Sequence, residues 1–163
     1  MTQKLGIKNF NLVLKISLIC GIIVISGFII YYLLKPEPGY ITFGILNEDM
    51  KAEDYTTKAS VNESIFFYLT VENSLDRDFE FLIKIKRGNN NTILSSTGSN
   101  GTLSSIVGNF TLKQNQNWIS QKCNISFSQI GENQIIITEL WEIPKNQIER
   151  FYNILWLRLN ITS

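Results

Sequence analysis

The stretch DFEFLIKIK, residues 78–86, has the most regular alternation of apolar and charged side chains in the chain. One side of this stretch carries Phe79, Phe81, Ile83 and Ile85, and the other side carries the acidic residues and lysines. Because successive side chains of a β-strand point to opposite faces, a period of two predicts a strand with one buried face and one solvated face.

The segment before this strand repeats the same pattern. SIFFYLTVEN, residues 64–73, places Ile65 and Phe67 on the same face as Leu69 and Val71. Turn-forming residues 73–77 then connect the two segments. Since neighbouring strands joined by a short turn commonly pair, we expect an antiparallel hairpin of these two strands.

Further β-type segments lie on both sides of this pair. They are YITFGIL at 40–46, FTL at 110–112, WISQKCNISF at 118–127, QIIITELWEI at 134–143 and YNILWLRLNIT at 152–162. We expect a polar loop around a short strand at 88–101, and a turn at Gly131-Glu132-Asn133. A turn or two of helix within 147–159 is the alternative for the last segment. About seven short strands separated by turn signals predict an all-β fold, an antiparallel β-sandwich of the immunoglobulin type.

An apolar run, ISLICGIIVISGFIIYYLL at 16–34, contains neither a charge nor a proline. Its length as a helix is about 28 Å, which matches the hydrocarbon core of a bilayer. A cleavable signal peptide is the alternative, but its apolar region is shorter and a small-residue cleavage site follows it, whereas YYLLKPEPGY offers none. The sequence therefore predicts one transmembrane helix in front of the sandwich.

The basic residues predict the orientation of this helix. Lys4, Lys8 and Lys15 precede the apolar run, so the positive-inside rule places the N-terminus in the cytoplasm. We expect a cytoplasmic basic leader at 1–15, the transmembrane helix at 16–34, a proline-containing stalk at 35–39 and an extracytoplasmic domain at 40–163. Residues 16–34 make the lipid bilayer the first predicted partner.

Charge and composition exclude several classes of function. Residues 36–163 carry eleven basic and fourteen acidic side chains, a balance that argues against a nucleic-acid partner. The chain has no histidine, which removes the commonest general base and the commonest metal ligand. Cys20 lies in the apolar run and Cys123 in the outer domain, so no disulfide within that domain is possible. We expect Cys123 to be a buried small apolar residue.

Acidic residues give little support for a catalytic or metal site. The pairs Glu48/Asp49 and Asp76/Asp78 lie in turn sequences, where carboxylates are ordinarily solvated. A calcium site at Asp76, Asp78 and Glu80 is an alternative, although the glycine and the terminal glutamate of a calcium loop are missing. We predict a protein that is not an enzyme and has no cofactor, no catalytic residue and no metal.

Two groups of residues indicate a surface role. Asn-x-Ser/Thr sequons begin at Asn62, Asn90, Asn100, Asn109, Asn124 and Asn160. All are placed by the patterns above in loops or opposite apolar faces, so they are candidate glycosylation sites. Trp118, Trp141, Tyr152 and Trp156 either form a platform for stacking sugars or fill a core face and the rim of a sheet.

The order of several short motifs resembles a known family. These are Lys51-Ala52 and Tyr55-Thr56 before the expected hairpin, Asn73 ending its first strand, Trp118 opening a later strand, a glycine turn, and YNILW in the closing strand. Together they resemble the outer domain of a mainly archaeal group of membrane-anchored proteins, the domain of unknown function sixteen-sixteen. Tyr-Thr stands where that group usually has Tyr-Pro, and many of its members have several spans. The resemblance implies a membrane-tethered β-sandwich and no particular activity.

These inferences predict a non-catalytic, membrane-anchored protein of the cell surface. Its sandwich would bind or support an envelope protein or a glycan. One alternative is an accessory subunit of a membrane enzyme or of a complex that assembles or transports surface glycans. Another is a domain buried in a larger membrane assembly, which an exposed apolar patch would favour.

Overall fold

The structure, a computed structural model, describes residues 2–35, 38–145 and 148–163. The chain divides into two compact units, Met1–Pro38 and Gly39–Ser163. The first contains one helix and the second contains all the strands.

Helix α1 spans Thr2–Leu34, so the basic leader and the apolar run form one continuous helix. Its segment Leu12–Leu34 has 23 residues with a mean hydropathy of 2.6, and none of its most apolar window is buried. This helix is long enough and apolar enough to cross a membrane. Pro36 and Glu37 of the predicted stalk lie outside the described residues.

The second unit consists of eleven β-strands. They are β1 Ile41–Leu46, β2 Lys58–Ser60, β3 Ile65–Asn73, β4 Phe79–Gly88, β5 Leu94–Ser95, β6 Gly98–Ser99, β7 Thr102–Leu112, β8 Gln116–Ile119, β9 Cys123–Ile125, β10 Gly131–Glu142 and β11 Arg150–Thr162. One sheet has the order β2-β11-β10-β4-β7. The other has the order β1-β3-β8, with β9 also paired to β3, and β5 and β6 form a small hairpin.

This strand order is that of an immunoglobulin-like sandwich, which confirms the predicted fold class. The pairings between the strands are antiparallel except that of β2 with β11, where Lys58 lies beside Asn160 in a parallel register. Strand β2 is short and its apolar signal is a single residue, Ala59, so sequence patterning did not predict it.

The alternating side chains of the two sheets meet in one hydrophobic core. Leu69 and Val71 of β3 and Phe79 and Ile83 of β4 are completely buried. The odd-numbered residues of β4 face the other sheet, as their period of two predicts. The core is therefore formed by side chains of both sheets and lies between them.

The predicted hairpin of β3 and β4 is wrong. Strand β3 pairs with β1, β8 and β9, whereas β4 pairs with β10 and β7 in the opposite sheet. The apolar faces of β3 and β4 pack against each other across the sandwich, so their matching patterns reflect a shared core and not a shared sheet. The segment between them is thus a crossing from sheet to sheet.

Asn73 holds this crossing in place and is itself completely buried. Its Nδ2 donates hydrogen bonds to the carbonyls of Arg77 and Leu112, at 2.8 and 2.9 Å. Its Oδ1 accepts a hydrogen bond from the Leu75 N–H at 2.9 Å. One side chain therefore satisfies three backbone groups at the point where the chain changes sheet.

The predicted turn at residues 131–133 is also wrong, because these residues begin β10. The register shifts between Gly131 and Gln134, and Asn133 has a positive φ of 55°. The Asn133 N–H donates a hydrogen bond to Oδ1 of Asn160 at 3.0 Å. The turn-type residues are a β-bulge, which uses the same residue types as a turn.

The remaining strands differ from prediction in their bounds. Strand β7 extends back from Phe110 to Thr102, and the segment 118–127 is divided into β8 and β9. Residues 150–159 form part of β11, so the helical alternative is wrong for this segment. Gln147, the first residue of the predicted helix, lies outside the described residues. The short strand expected in the polar loop at 88–101 is confirmed as the hairpin of β5 and β6.

Candidate functional site

The sandwich has two distinct ends. The chain enters it at Ile41, which pairs with Asn73, and we call this the entry end. Strand β4 starts near the entry end at Phe79 and runs about 30 Å to Gly88 at the far end. Thr102 of β7 lies beside Arg87 in the register, so the far end also includes the start of β7.

A cavity of about 430 Å³ lies at the far end. Three segments line it: the end of β4 with the loop after it, the residues that lead into β7, and the loop between β9 and β10 with Gln134. Apart from Arg87 and Phe127, the lining residues are asparagine, glutamine, serine, threonine and glycine. The walls therefore present mainly amide and hydroxyl groups.

Arg87 is the one charged residue among the described residues that line this cavity. It continues the inward-facing series of β4 and lies beside Ile136, a core residue of β10, in the sheet register. Directly paired residues share a face, so the Arg87 side chain is on the core face of its sheet. Its Nε is buried and has no hydrogen-bond partner among the residues that the structure describes.

The six sequon asparagines are all accessible to some degree. Asn62, Asn90, Asn109 and Asn124 are exposed, and their side chains make no hydrogen bond with the described part of the chain. Asn100 is exposed and Asn160 is half-buried, and each uses Oδ1 to accept a backbone hydrogen bond, from Ile93 and from Asn133. Both bonds leave Nδ2 available, the atom to which an N-linked glycan is attached.

The hairpin of β5 and β6 covers part of the outer face of the five-stranded sheet and buries Glu139 completely. Ser99 donates to the Glu139 carboxylate through its N–H and its Oγ, both at 2.7 Å. Lys86 Nζ lies 2.8 Å from the same carboxylate and also donates to the Ser99 carbonyl, and Trp141 Nε1 donates to it at 3.0 Å. The carboxylate therefore ties the hairpin to the sheet.

Opposing effects set the pKa of Glu139. Burial by itself would raise it, but the hydrogen bonds from Lys86, Ser99 and Trp141 together outweigh burial, so the pKa lies below the usual value for a glutamate. Glu139 is thus ionised at neutral pH. Since Lys86 neutralises it and the carboxylate accepts four hydrogen bonds, this is a structural ion pair.

The acidic residues considered for calcium do not come together. Asp76 accepts a hydrogen bond from Gln114 at 3.0 Å, and nearby Arg77 pairs with Glu142 at 2.7 Å. Arg150 binds the second oxygen of the Glu142 carboxylate. Within residues 2–35, 38–145 and 148–163, no group of three His, Cys, Asp or Glu side chains is arranged to hold a metal ion.

The four aromatic residues do not form one platform. Trp118 packs against Phe81 and Phe110 between the sheets, with ring centroids 5.5 and 4.7 Å apart. Tyr152 lies edge-on to Phe79. Trp141 and Trp156 instead belong to the outer side of the five-stranded sheet, where Trp156 is 47% exposed. Core filling and sheet rims account for these aromatic residues.

Cys123 packs partly buried against the core, in agreement with its predicted role as a small apolar residue. Burial raises the pKa of its thiol, although a hydrogen bond to Ser120 acts in the other direction. The thiol is therefore protonated at neutral pH, which makes it a poor nucleophile.

Sequence reasoning missed Arg87, although a signal was present. The inward series of β4 runs through every second residue to Ile85, and the next member of that series is Arg87. A charged residue at a core-facing position at the end of a strand marks a polar opening at the end of the sandwich. No comparable signal identifies Glu139, because a charged residue on an outward face is ordinary.

No family model and no curated protein sequence matches the chain. Among solved structures, it is similar to the CARDB domain of the PF1109 protein from Pyrococcus furiosus, crystallised in complex with di-metal ions. The identity is 14% and the TM-score 0.48, over 79% of this chain and 93% of that one. It is also similar to the C-terminal domain of wzt, with 11% identity and a TM-score of 0.47, over 79% of this chain and 80% of that one.

A third similar structure is the sporulation control protein Spo0M from Bacillus subtilis. The identity is 9% and the TM-score 0.46, over 77% of this chain and 50% of that one. At these identities and TM-scores, the three similarities assign neither a function nor a family to the chain. The resemblance to the domain of unknown function sixteen-sixteen stays a prediction.

Proposed function

We propose that the protein is a non-catalytic binding protein of the cell surface, held by α1 in the membrane with its sandwich outside the cell. The observation that carries this proposal is the pairing of an apolar helix, unburied over its most apolar window, with a separate sandwich that has its own core. The helix gains stability only when lipid or another apolar phase covers it. The sandwich needs no such cover, so it is the part presented to solvent.

The side chains of the sandwich support binding more than catalysis. The chain has no histidine, and its one completely buried carboxylate is neutralised by Lys86 within the described residues. The only cysteine outside the helix is protonated and partly buried. An amide-rich cavity at the far end is suited to recognition by hydrogen bonds.

Glycosylation of the sequons is part of this proposal. Four of the asparagines are exposed with free side chains, and the other two keep Nδ2 available, so a glycan fits at each without disturbing the core. Asn109 lies in a bulge of the edge strand β7, with a φ of 63°. A glycan there would block edge-to-edge pairing with another chain.

Protease accessibility in intact cells of the native host tests the orientation. Trypsin should remove the sandwich, because exposed lysines and arginines such as Lys113 and Arg158 lie on its surface, while a tag fused before Thr2 stays intact. Mass spectrometry of the released peptides should show glycans at several of the six sequons. A sandwich that survives while known surface proteins are digested would refute the extracellular location.

A second candidate, an accessory subunit of a membrane complex, is favoured by one observation. Leu103 and Ile106 of the edge strand β7 are 50% and 55% exposed and point to the outer face beside Lys86 and Lys84. A photo-crosslinking residue at position 106 should then capture one protein in fixed ratio, and one at the exposed Thr42 should not. Equal or random capture from both positions would leave the surface-binding proposal in place and reject the subunit.

A further inference from the structure

We propose that the far-end cavity binds an acidic saccharide, with the Arg87 guanidinium holding the sugar carboxylate and the surrounding amides and hydroxyls holding its hydroxyl groups. This inference rests on the proposed binding function and names its site and its class of ligand.

Arg87 gives the cavity a positive charge that no acidic residue of the described chain neutralises. An arginine stays ionised at every physiological pH, and of the Arg87 guanidinium only Nε is buried, so the terminal nitrogens carry their charge at the cavity wall. The residues that line the cavity include no aspartate and no glutamate, and Arg87 forms no ion pair within the described ranges. An anionic ligand would supply the negative charge that Arg87 lacks in the described chain.

The geometry of the guanidinium favours a carboxylate. The planar fork of an arginine matches the two oxygens of a carboxylate in a bidentate pair, which its two terminal nitrogens can form. Nε of Arg87 is buried, whereas the two terminal nitrogens are not among the buried atoms and have no partner in the described chain, so they are the donors that a ligand can reach. The burial of Nε shows that the side chain up to this atom is packed against the protein, which lowers the entropy cost of binding.

The size and the walls of the cavity indicate more than a small anion. A volume of about 430 Å³ is within the range of small-molecule sites and exceeds the need of one carboxylate, phosphate or sulfate. Asn91 and Gln129 are exposed wall residues whose amides make no hydrogen bond to the described part of the chain. Amides both donate and accept hydrogen bonds, as sugar hydroxyls do.

Calorimetric titration of the full chain in detergent micelles tests this inference. Asn100 is both a sequon and a wall residue, and a glycan there would compete with a ligand for the cavity. The inference therefore concerns protein unmodified at Asn100, and the protein is produced in a host without N-glycosylation. The probes are a trigalacturonate, a neutral glucose trisaccharide and inorganic phosphate. We expect the trigalacturonate to bind at least tenfold more tightly than either of the others, because a bidentate charged pair and the wall hydrogen bonds act together.

Two variants locate the binding. Arg87→Gln should weaken trigalacturonate binding at least tenfold, whereas Arg158→Gln removes the same charge from an exposed position of β11 and should change nothing. Ser128→Trp, at an exposed wall residue, should also abolish binding by filling the cavity, and it keeps the test decisive where Arg87→Gln does not fold. Tryptophan fluorescence and the unfolding temperature report whether each variant is folded.

Several results would overturn the inference. They are an absence of trigalacturonate binding, equal binding by the Ser128→Trp variant, equal binding by a folded Arg87→Gln variant, and phosphate binding as tight as that of the oligosaccharide. None of them bears on where the sandwich lies in the cell, because the protease experiment measures that independently. A failed titration with an accessible sandwich therefore rejects the ligand and keeps the surface location.

Discussion

Glu139 is a buried charge whose cost is offset by its surroundings. Breaking a buried ion pair is destabilising because the remaining partner stays in a poorly solvated position. Here that partner is Lys86, whose side chain is only 14% exposed. The four hydrogen bonds to the carboxylate come from the sheet and from the β5–β6 hairpin, so one residue couples a loop to the framework.

We expect Glu139→Gln to lower the free energy of unfolding by about 2 kcal/mol at pH 7, since the Lys86 ammonium loses its counter-charge while the amide still accepts some hydrogen bonds. The pKa of Glu139 is lowered in the folded state. The unfolded chain therefore binds more protons than the folded one in acid, and this contribution is lost as the pH falls below about 4.3 and through the folded pKa.

Urea unfolding followed by tryptophan fluorescence measures this effect. The wild-type and Glu139→Gln curves of stability against pH should differ at neutral pH and converge in acid. Glu149→Gln is the matched control. The Glu149 side chain, which pairs with Lys84, is 43% exposed, so this substitution should change the free energy of unfolding by no more than about 0.5 kcal/mol. A constant gap between wild type and Glu139→Gln down to pH 2 would contradict the role of ionisation.

Period-two patterning predicts the face on which a residue lies, but not what covers that face. It placed Phe79, Phe81 and Leu69 in the core correctly, because their neighbours alternate with them. Glu139 lies on an outward face and is buried all the same, since a distant loop folds over it. That contact joins residues 40 positions apart in the chain, and local sequence contains no signal for it.

Among the elements, the crossing between β3 and β4 depends on a single side chain. Asn73→Ala should lower the free energy of unfolding by about 3 kcal/mol, because two carbonyls and one N–H lose their partner in a buried site. The same substitution at Asn117, an exposed residue of β8, should have almost no effect. Urea midpoints of both variants make the comparison, and similar midpoints would show that water replaces the Asn73 side chain.

The two wrong predictions about connections, the β3–β4 hairpin and the turn at 131–133, have one physical cause. Turn-type residues occur in hairpins, in crossings between sheets and in bulges, so the sequence of residues 73–77 and 131–133 does not distinguish these connections. Strand existence was predictable for β1, β3, β4, β10 and β11, since each carries several buried apolar residues. Strand pairing depends on the packing of whole sheets, which no short segment determines.

At the scale of the molecule, the helix exposes its apolar side chains and the sandwich buries its own. Large apolar side chains from Leu12 to Leu34 are more than half exposed, and burying them in lipid stabilises the protein at about 25 cal/mol for each Å². The sandwich instead buries its apolar residues within itself. Both features were predictable, because an unbroken apolar run and period-two segments are the strongest patterns that a sequence contains.

We therefore expect residues 39–163, expressed alone, to fold as a soluble domain with the urea midpoint of the full chain. The full chain should sediment with membranes and resist extraction by salt and alkali. Deletion of residues 2–9 is the matched control, because it removes Lys4 and Lys8 but leaves the Leu12–Leu34 segment complete, so this variant should still sediment. If residues 39–163 alone remain with the membranes, the sandwich has a membrane contact of its own. If their midpoint falls sharply, the helix belongs to the folded domain and is more than an anchor.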